Sequence, residues 1–151
     1  MEIYFIIGGM LSFFIFGNLG IHFYFKRKHK QFLESLEGKD FILIEKVNME
    51  MTSFGKLSFR HQFSKADVII LKDEIFFLIF NKPFPQAQPI LQISNTNNIF
   101  PHVSKKIRFD SKFRENGKLR IKGSFGEGIT SGEYKILLDF NNKNFDLNSI
   151  L

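Results

Sequence analysis

IYFIIGGMLSFFIFGNLGIHFYF, residues Ile3 to Phe25, carries no Asp, Glu, Lys or Arg in 23 positions. As an α-helix it reaches roughly 35 Å at about 1.5 Å per residue, against a bilayer hydrocarbon core of about 30 Å. That is long enough to cross with some tilt. Its polar exceptions are Ser12, Asn18 and His22, and Tyr4 and Tyr24 stand near its two ends, where amphipathic rings favour the headgroup layer. A secretory signal peptide would place positive side chains before the apolar core and small residues at a cleavage site after it. Only Glu2 and the amino terminus precede this core, and no such site follows. Few soluble domains of this size could cover a helix apolar on every face. The stretch therefore predicts an uncleaved transmembrane helix over residues 1–25.

The flank sets the orientation. Every Lys and Arg lies after Phe25, and Lys26, Arg27, Lys28 and Lys30 follow at once. By the positive-inside rule this flank is cytoplasmic, with the N-terminus outside, giving a single-pass protein of the cell (inner) membrane. Phe32, Leu33 and Leu36 recur at helical spacing and Gly38 fits the position just past a helix end. Residues 26–39 are thus predicted to be a basic juxtamembrane helical linker, its cations at headgroup level and each worth about 1 kcal/mol beside an anionic leaflet. Within the span, Gly8, Ser12 and Gly20 are read as one helix face with Gly9 and Gly17 beside it. Small residues let helices approach closely, and Asn18 can bond across such a contact. Gly8, Ser12, Asn18 and Gly20 are therefore the candidate helix-packing face, for a homodimer or a membrane-protein partner. The plain alternative is that glycine is common in membrane helices. His22 reads as a side chain snorkelling to the interface rather than a proton relay.

From Asp40 the periodicity changes. FILIEKV (Phe41–Val47), KLSFRHQF (Lys56–Phe63), DVIILK (Asp67–Lys72), EIFFLIF (Glu74–Phe80), PILQI (Pro89–Ile93), KIRFD (Lys106–Asp110), GKLRIKG (Gly117–Gly123) and YKILLDF (Tyr134–Phe140) are short runs rich in β-branched and aromatic residues. Asn48, Gly55, Lys72-Asp73, the Pro83/Pro85/Pro89 segment, Asn95–Asn98 and Glu115-Asn116-Gly117 punctuate them as turns. Seven or eight strands predict a mostly antiparallel all-β domain over residues 40–151, a small barrel or a sandwich. The tail Asn144–Leu151 fits a last strand or a short helix equally well.

One hairpin can be read in register. A two-residue turn at Asn116-Gly117 would pair Phe113 with Arg120. A three-residue loop, Glu115-Asn116-Gly117, pairs Phe113 with Leu119 and turns Ile107, Phe109, Phe113, Leu119 and Ile121 inward. Core burial selects the second. Arg108, Lys112, Arg114, Lys118, Arg120 and Lys122 then form one outward basic face, with Lys112 opposite Arg120 and Arg114 opposite Lys118. Like charges in such positions are destabilising, so the face is expected to meet anionic lipid headgroups or an acidic protein partner. Its alternative role is a solvated edge that resists aggregation.

Composition narrows the chemistry. At 44% hydrophobic and 24% charged the chain is not a disordered polymer. With no cysteine it has no disulfide, no thiolate metal site and no thiol nucleophile. GSFGEGITSG (Gly123–Gly132) is glycine-rich but lacks the Lys-Ser/Thr pair and following helix of a phosphate loop. His22, His29, His61 and His102 form no metal-binding spacing, and no carboxylate pair suggests acid–base work. No catalytic, cofactor or metal residue is nominated, and the chain is not expected to be an enzyme. Beyond residue 30, 17 Lys+Arg face 14 Asp+Glu, only +3. With no outward aromatic read on the hairpin for a base to stack on, nucleic acid is not expected as a partner.

From Ala66 onward ADVIILKDEIFFLIF, a proline-bearing strand and KKIRFD…GKLRIKG resemble the strand sequence of a bacterial pleckstrin-homology-like or GRAM-type domain. The abundance of Phe, Ile, Lys and Asn is similar to that of AT-rich bacterial coding. The resemblance implies a PH-like fold and transfers no binding residue. The expected function is a membrane-anchored interaction module at the cytoplasmic leaflet. The alternative is an accessory subunit of a membrane complex recognised through its transmembrane helix.

Overall fold

The computed structural model of the chain describes residues 2–54, 62–72, 74–82, 85–126 and 131–140. Expectations for Gly55, His61, Asp73, Pro83, the centre of the Gly123–Gly132 loop and the tail Asn144–Leu151 lie outside those residues. Among the described residues one helix, α1 (Glu2–Glu34), precedes seven strands: β1 (Ile42–Phe54), β2 (Gln62–Leu71), β3 (Glu74–Asn81), β4 (Ile90–Ile93), β5 (Val103–Glu115), β6 (Lys118–Phe125) and β7 (Gly132–Asp139). The strands close into a barrel in sequence order, β7 returning to β1. Every neighbouring pair is antiparallel except β4–β5.

The barrel interior takes alternate residues. Val68 and Ile70 of β2, Ile75, Phe77 and Ile79 of β3, Ile107 of β5 and Leu119 and Ile121 of β6 share one core. β2 and β3 are also apolar on their outer face. There Ile69, Leu71, Phe76, Leu78 and Ile90 form a second core with Phe32 and Leu36 of the helical segment. A strand buried on both faces reads as a continuous apolar run rather than an alternation, which explains VIIL and IFFLIF. α1 thus lies along the outside of β2–β4.

Burial along α1 follows one stripe. Asn18, His22 and Phe25 are half-buried, His29 and Phe32 are buried, and Leu36 in the turn just past the helix is buried too. Those steps of three and four residues keep the contact on one side of a helix. The apolar side chains from Ile3 to Tyr24 on its other sides are exposed, Phe13 at 82%. One helix, Ile3–Glu34, is long and apolar enough to cross a membrane, and none of its apolar window is buried. A buried core helix is therefore not its role here. Past Glu34 the chain turns, and Gly38 adopts φ 79°, a left-handed geometry open to glycine without strain.

Three expectations are corrected. The PH-like or GRAM-type resemblance fails, because β1 closes onto β7 where those domains form an open β-sandwich. Strand rhythm counts strands but does not reveal whether the first pairs with the last. The bacterial assignment that accompanied it has no support in the fold. Asn48, read as a turn, lies inside β1.

The third correction is the hairpin register. Asn116 (φ 49°) and Gly117 (φ 72°) are both left-handed, the signature of a two-residue type I′ turn. Glu115 pairs with Lys118, Phe113 with Arg120, and Arg114 with Leu119. A bulge between Phe109 and Ser111 absorbs the mismatch that core burial alone would not permit. Ile107 stays in the core and Phe109 packs against it, while Phe113 turns outward at 56% exposure.

Candidate partner-binding face

The two ends of the barrel differ in their distance from the apolar helix. The Phe32 ring packs on Phe76 (centroids 4.9 Å apart), and His29 packs edge-on to Phe80 (5.2 Å). Farther toward the N-terminus, His22 Nδ1 accepts from the Ala87 N–H (3.1 Å), and Gln86 Nε2 donates to Asn18 Oδ1 (3.3 Å). Walking along α1 toward the apolar segment thus means walking along β3 toward Asn81 and into the β3–β4 connection. β4 runs opposite to β3, and β5 runs parallel to β4. The β5–β6 turn at Asn116-Gly117 accordingly lies at the end of the barrel remote from the apolar helix.

Cross-strand partners share a face. Phe113, Arg120 and Leu137 are successive partners across β5, β6 and β7. They point outward, because Leu119 and Ile121, their neighbours in β6, are buried at 2% and 1%. With Asn116 and Lys118 they line a recess of about 300 Å³. One row away Lys122 stands opposite Lys135. Like charges so placed repel, and each lies over a ring: Lys122 Nζ 5.4 Å from Phe113, Lys135 Nζ 4.4 Å from Phe54. A cation over an exposed ring gains about 0.5–1 kcal/mol, which offsets part of that repulsion. The result is an aromatic and an aliphatic side chain bordered by cations.

The predicted basic residues are therefore divided. Arg108, Lys118, Arg120 and Lys122 belong to the outer face, and Arg108 Nε lies 3.7 Å from Asp110, which also accepts from Ser124 Oγ (3.1 Å). Lys112 and Arg114 pair with Ile121 and Leu119 and so sit on the opposite side of the ladder. The expected confrontations of Lys112 with Arg120 and Arg114 with Lys118 do not occur. Lys135 was missed; pairing YKILLDF with KLRIKG, both alternating runs, would have found it. The outward Phe113 also removes one argument against nucleic acid, since the hairpin does carry an exposed ring.

The helix residues divide as well. Gly8, Ser12 and Gly20 are exposed, and a Cβ added at Gly8, Gly9, Gly17 or Gly20 would meet nothing within 4 Å. Asn18 is turned instead to its own β-domain, its Nδ2 donating to Phe14 O (2.7 Å) and its Oδ1 held by Gln86. Lys26, Arg27 and Lys30 are exposed, Lys30 lying 3.6 Å from Glu34. Lys28 Nζ sits 5.7 Å from the Tyr24 ring centroid.

His29 is the buried titratable group of this contact. It is 4% exposed, and its Nε2 donates to Gln88 O at 2.7 Å. The buried Nδ1 has no partner among the described residues, so a second proton there would be stranded. Burial holds the imidazole below its ordinary value of about 6.5. The Gln88 carbonyl and Asp67 pull the other way, and His22 adds slightly to the lowering. Because the folded pKa lies below the unfolded one, the unfolded state binds the extra proton first as pH falls. Helix docking is therefore expected to be full above about pH 6.5 and to weaken as acidification proceeds from there toward the folded pKa. Hydrogen exchange at residues 26–36 is expected to quicken below that pH in the full chain, and His29→Leu is expected to flatten the dependence.

At the other end of β3, Glu74 Oε1 accepts from Thr96 Oγ1 (2.7 Å), Ser94 Oγ (3.2 Å) and Gln92 Nε2 (3.3 Å). This carboxylate oxygen is an anchor for the loop after β4. The adjoining groove of about 610 Å³ is lined by Lys39, Asp40, Lys72 and Phe100 among others. Among the described residues no group of His, Cys, Asp or Glu is arranged to hold a metal ion. No protein-family model, no curated protein and no solved structure matches this chain.

Proposed function

We propose that the chain is a non-enzymatic, single-pass membrane module whose barrel presents the Phe113–Arg120–Leu137 face to an acidic protein partner in the cytoplasm. α1 would cross the bilayer over Ile3–Phe25 with its N-terminus outside, and Lys26, Arg27, Lys28 and Lys30 would hold the barrel on the cytoplasmic side. The observation that carries this reading is the position of the β5–β6 turn, at the barrel end opposite the one from which the apolar helix departs. A basic surface that starts from a turn remote from the bilayer favours an acidic protein over the headgroups of the same membrane. An exposed aromatic within a ring of cations suits a segment that combines carboxylates with an apolar anchor.

The test places a photo-crosslinking residue at Phe113 in the full-length protein in its native membrane. A discrete crosslinked product is expected, weakened by salt. Lys118→Glu with Arg120→Glu should reduce it by about tenfold or more, because like-charge juxtaposition across an interface costs several kcal/mol. Crosslinking to lipid alone, or a product indifferent to both charge reversals, would remove this reading. A second reading is carried by the open space beside Gly8 and Gly20, which suits an accessory subunit recognised through its span. Exchanging residues 3–17 for an unrelated apolar helix would abolish partner capture under that reading and leave it intact under the first.

A further inference from the structure

Two of the three polar side chains within Ile3–Phe25, Asn18 and His22, are held by one short segment of the β3–β4 connection. The Ala87 N–H donates to His22 Nδ1 (3.1 Å), and Gln86 Nε2 reaches both Asn18 Oδ1 (3.3 Å) and Asn18 O (3.4 Å). The next residue, Gln88, takes the His29 Nε2 proton on its carbonyl. Phe25 closes the apolar stretch, so Asn18 lies roughly 10 Å and His22 roughly 5 Å inside it at about 1.5 Å per residue. A segment bonded to them shares their depth.

We infer that residues 85–88 enter the cytoplasmic leaflet beside α1, as a re-entrant clasp whose outer side meets lipid. The inference rests on the reading of Ile3–Phe25 as membrane-spanning. Non-helical backbone is tolerated at membrane depth only where protein satisfies its polar groups. Several polar groups of this segment meet that condition. Pro85 and Pro89 have no N–H to satisfy. The Ala87 N–H goes to His22, and the Gln88 N–H goes to Ile79 O (2.9 Å). Gln86 O accepts from the Asn81 N–H (3.1 Å). Ala87 is completely buried against the helix, while Pro85, which has no polar side-chain atom, is exposed. The benefit is mutual: an asparagine and a histidine that lipid would leave unsatisfied find partners in their own chain.

The chain has neither Trp nor Cys, so a single introduced Trp reports depth without background. The full-length protein is placed in phosphatidylcholine vesicles containing phosphatidylglycerol, with bromines on the upper acyl chain as quenchers. Phe14→Trp and Phe23→Trp mark the span, and Lys39→Trp marks the barrel end far from it. Pro85→Trp is expected to be quenched at least about half as strongly as Phe23→Trp, and well above Lys39→Trp. Gln86→Trp gives a second reading of the same depth should the proline variant misfold. Quenching of Phe23→Trp with Pro85→Trp and Gln86→Trp no more quenched than Lys39→Trp would overturn the clasp and leave the span intact. Quenching of Phe14→Trp alone would overturn it too, by placing the bilayer boundary short of the loop. Absence of quenching even at Phe14→Trp would overturn the spanning reading itself.

Discussion

Phe13→Arg together with Phe14→Arg is expected to release the protein from the membrane. On insertion scales an Arg at the helix centre costs about 2.5–3.5 kcal/mol, whereas Phe contributes a few tenths favourably. The pair therefore opposes insertion by roughly 6 kcal/mol, and neither side chain is near enough to an end to snorkel out. Both positions are exposed in the structure, so the barrel should be untouched. Alkaline carbonate extraction followed by fractionation reads the result: the wild-type chain stays with the membrane pellet, and the double variant moves to the soluble or aggregated fraction with the barrel's circular dichroism preserved. A double variant that stays in the pellet after extraction, still folded, would contradict the assignment of Ile3–Phe25 as a span. Protease added to intact cells tests the orientation in the same strains. The wild-type barrel is expected to survive on the cytoplasmic side.

Phe76→Ala should produce the largest loss of folding stability, about 3–5 kcal/mol for a large aromatic removed from a closed core. Phe76 is completely buried, and its ring meets Phe32 (4.9 Å) on the helix and Phe100 (5.0 Å) on the loop after β4. The loss is a large share of the 5–15 kcal/mol that holds a typical domain folded. It also has a distinctive address. Phe77, one residue on, faces the barrel interior, and Phe77→Ala should destabilise all seven strands together. Phe76→Ala should first free residues 26–36 from the barrel, visible as faster hydrogen exchange there while β5–β7 stay protected. Equal protection patterns in the two variants would show that helix and barrel form a single cooperative unit.

How far the sequence reveals this architecture depends on the period of each segment. The long apolar helix and the basic flank were legible because length and charge alone define them. The strands were legible from β-branched runs between turn formers, although β1 continues through Asn48 to Phe54. Closure of β7 onto β1 was not, since pairing between the first and last strands leaves no local trace. The docking of α1 on β2–β4 did leave one. VIIL and IFFLIF are apolar without alternation, and so announce strands covered on both sides. The hairpin shows the opposite limit. Asn116-Gly117 was the correct signal for a two-residue turn, and core-burial logic overrode it because the bulge near Asp110 is invisible in the residues themselves. That single extra residue exchanges Lys112 and Arg114 for Phe113 on the outer face, and so decides what the candidate binding surface is made of.

The unbroken course of α1 from Glu2 to Glu34, gripped by the barrel from Asn18 onward, makes rod and barrel one lever. With no hinge between them, tilting or rotating the exposed half of the rod must swing the far hairpin through an arc. Whatever changes the angle of the exposed half is thereby transmitted as displacement to the hairpin tip.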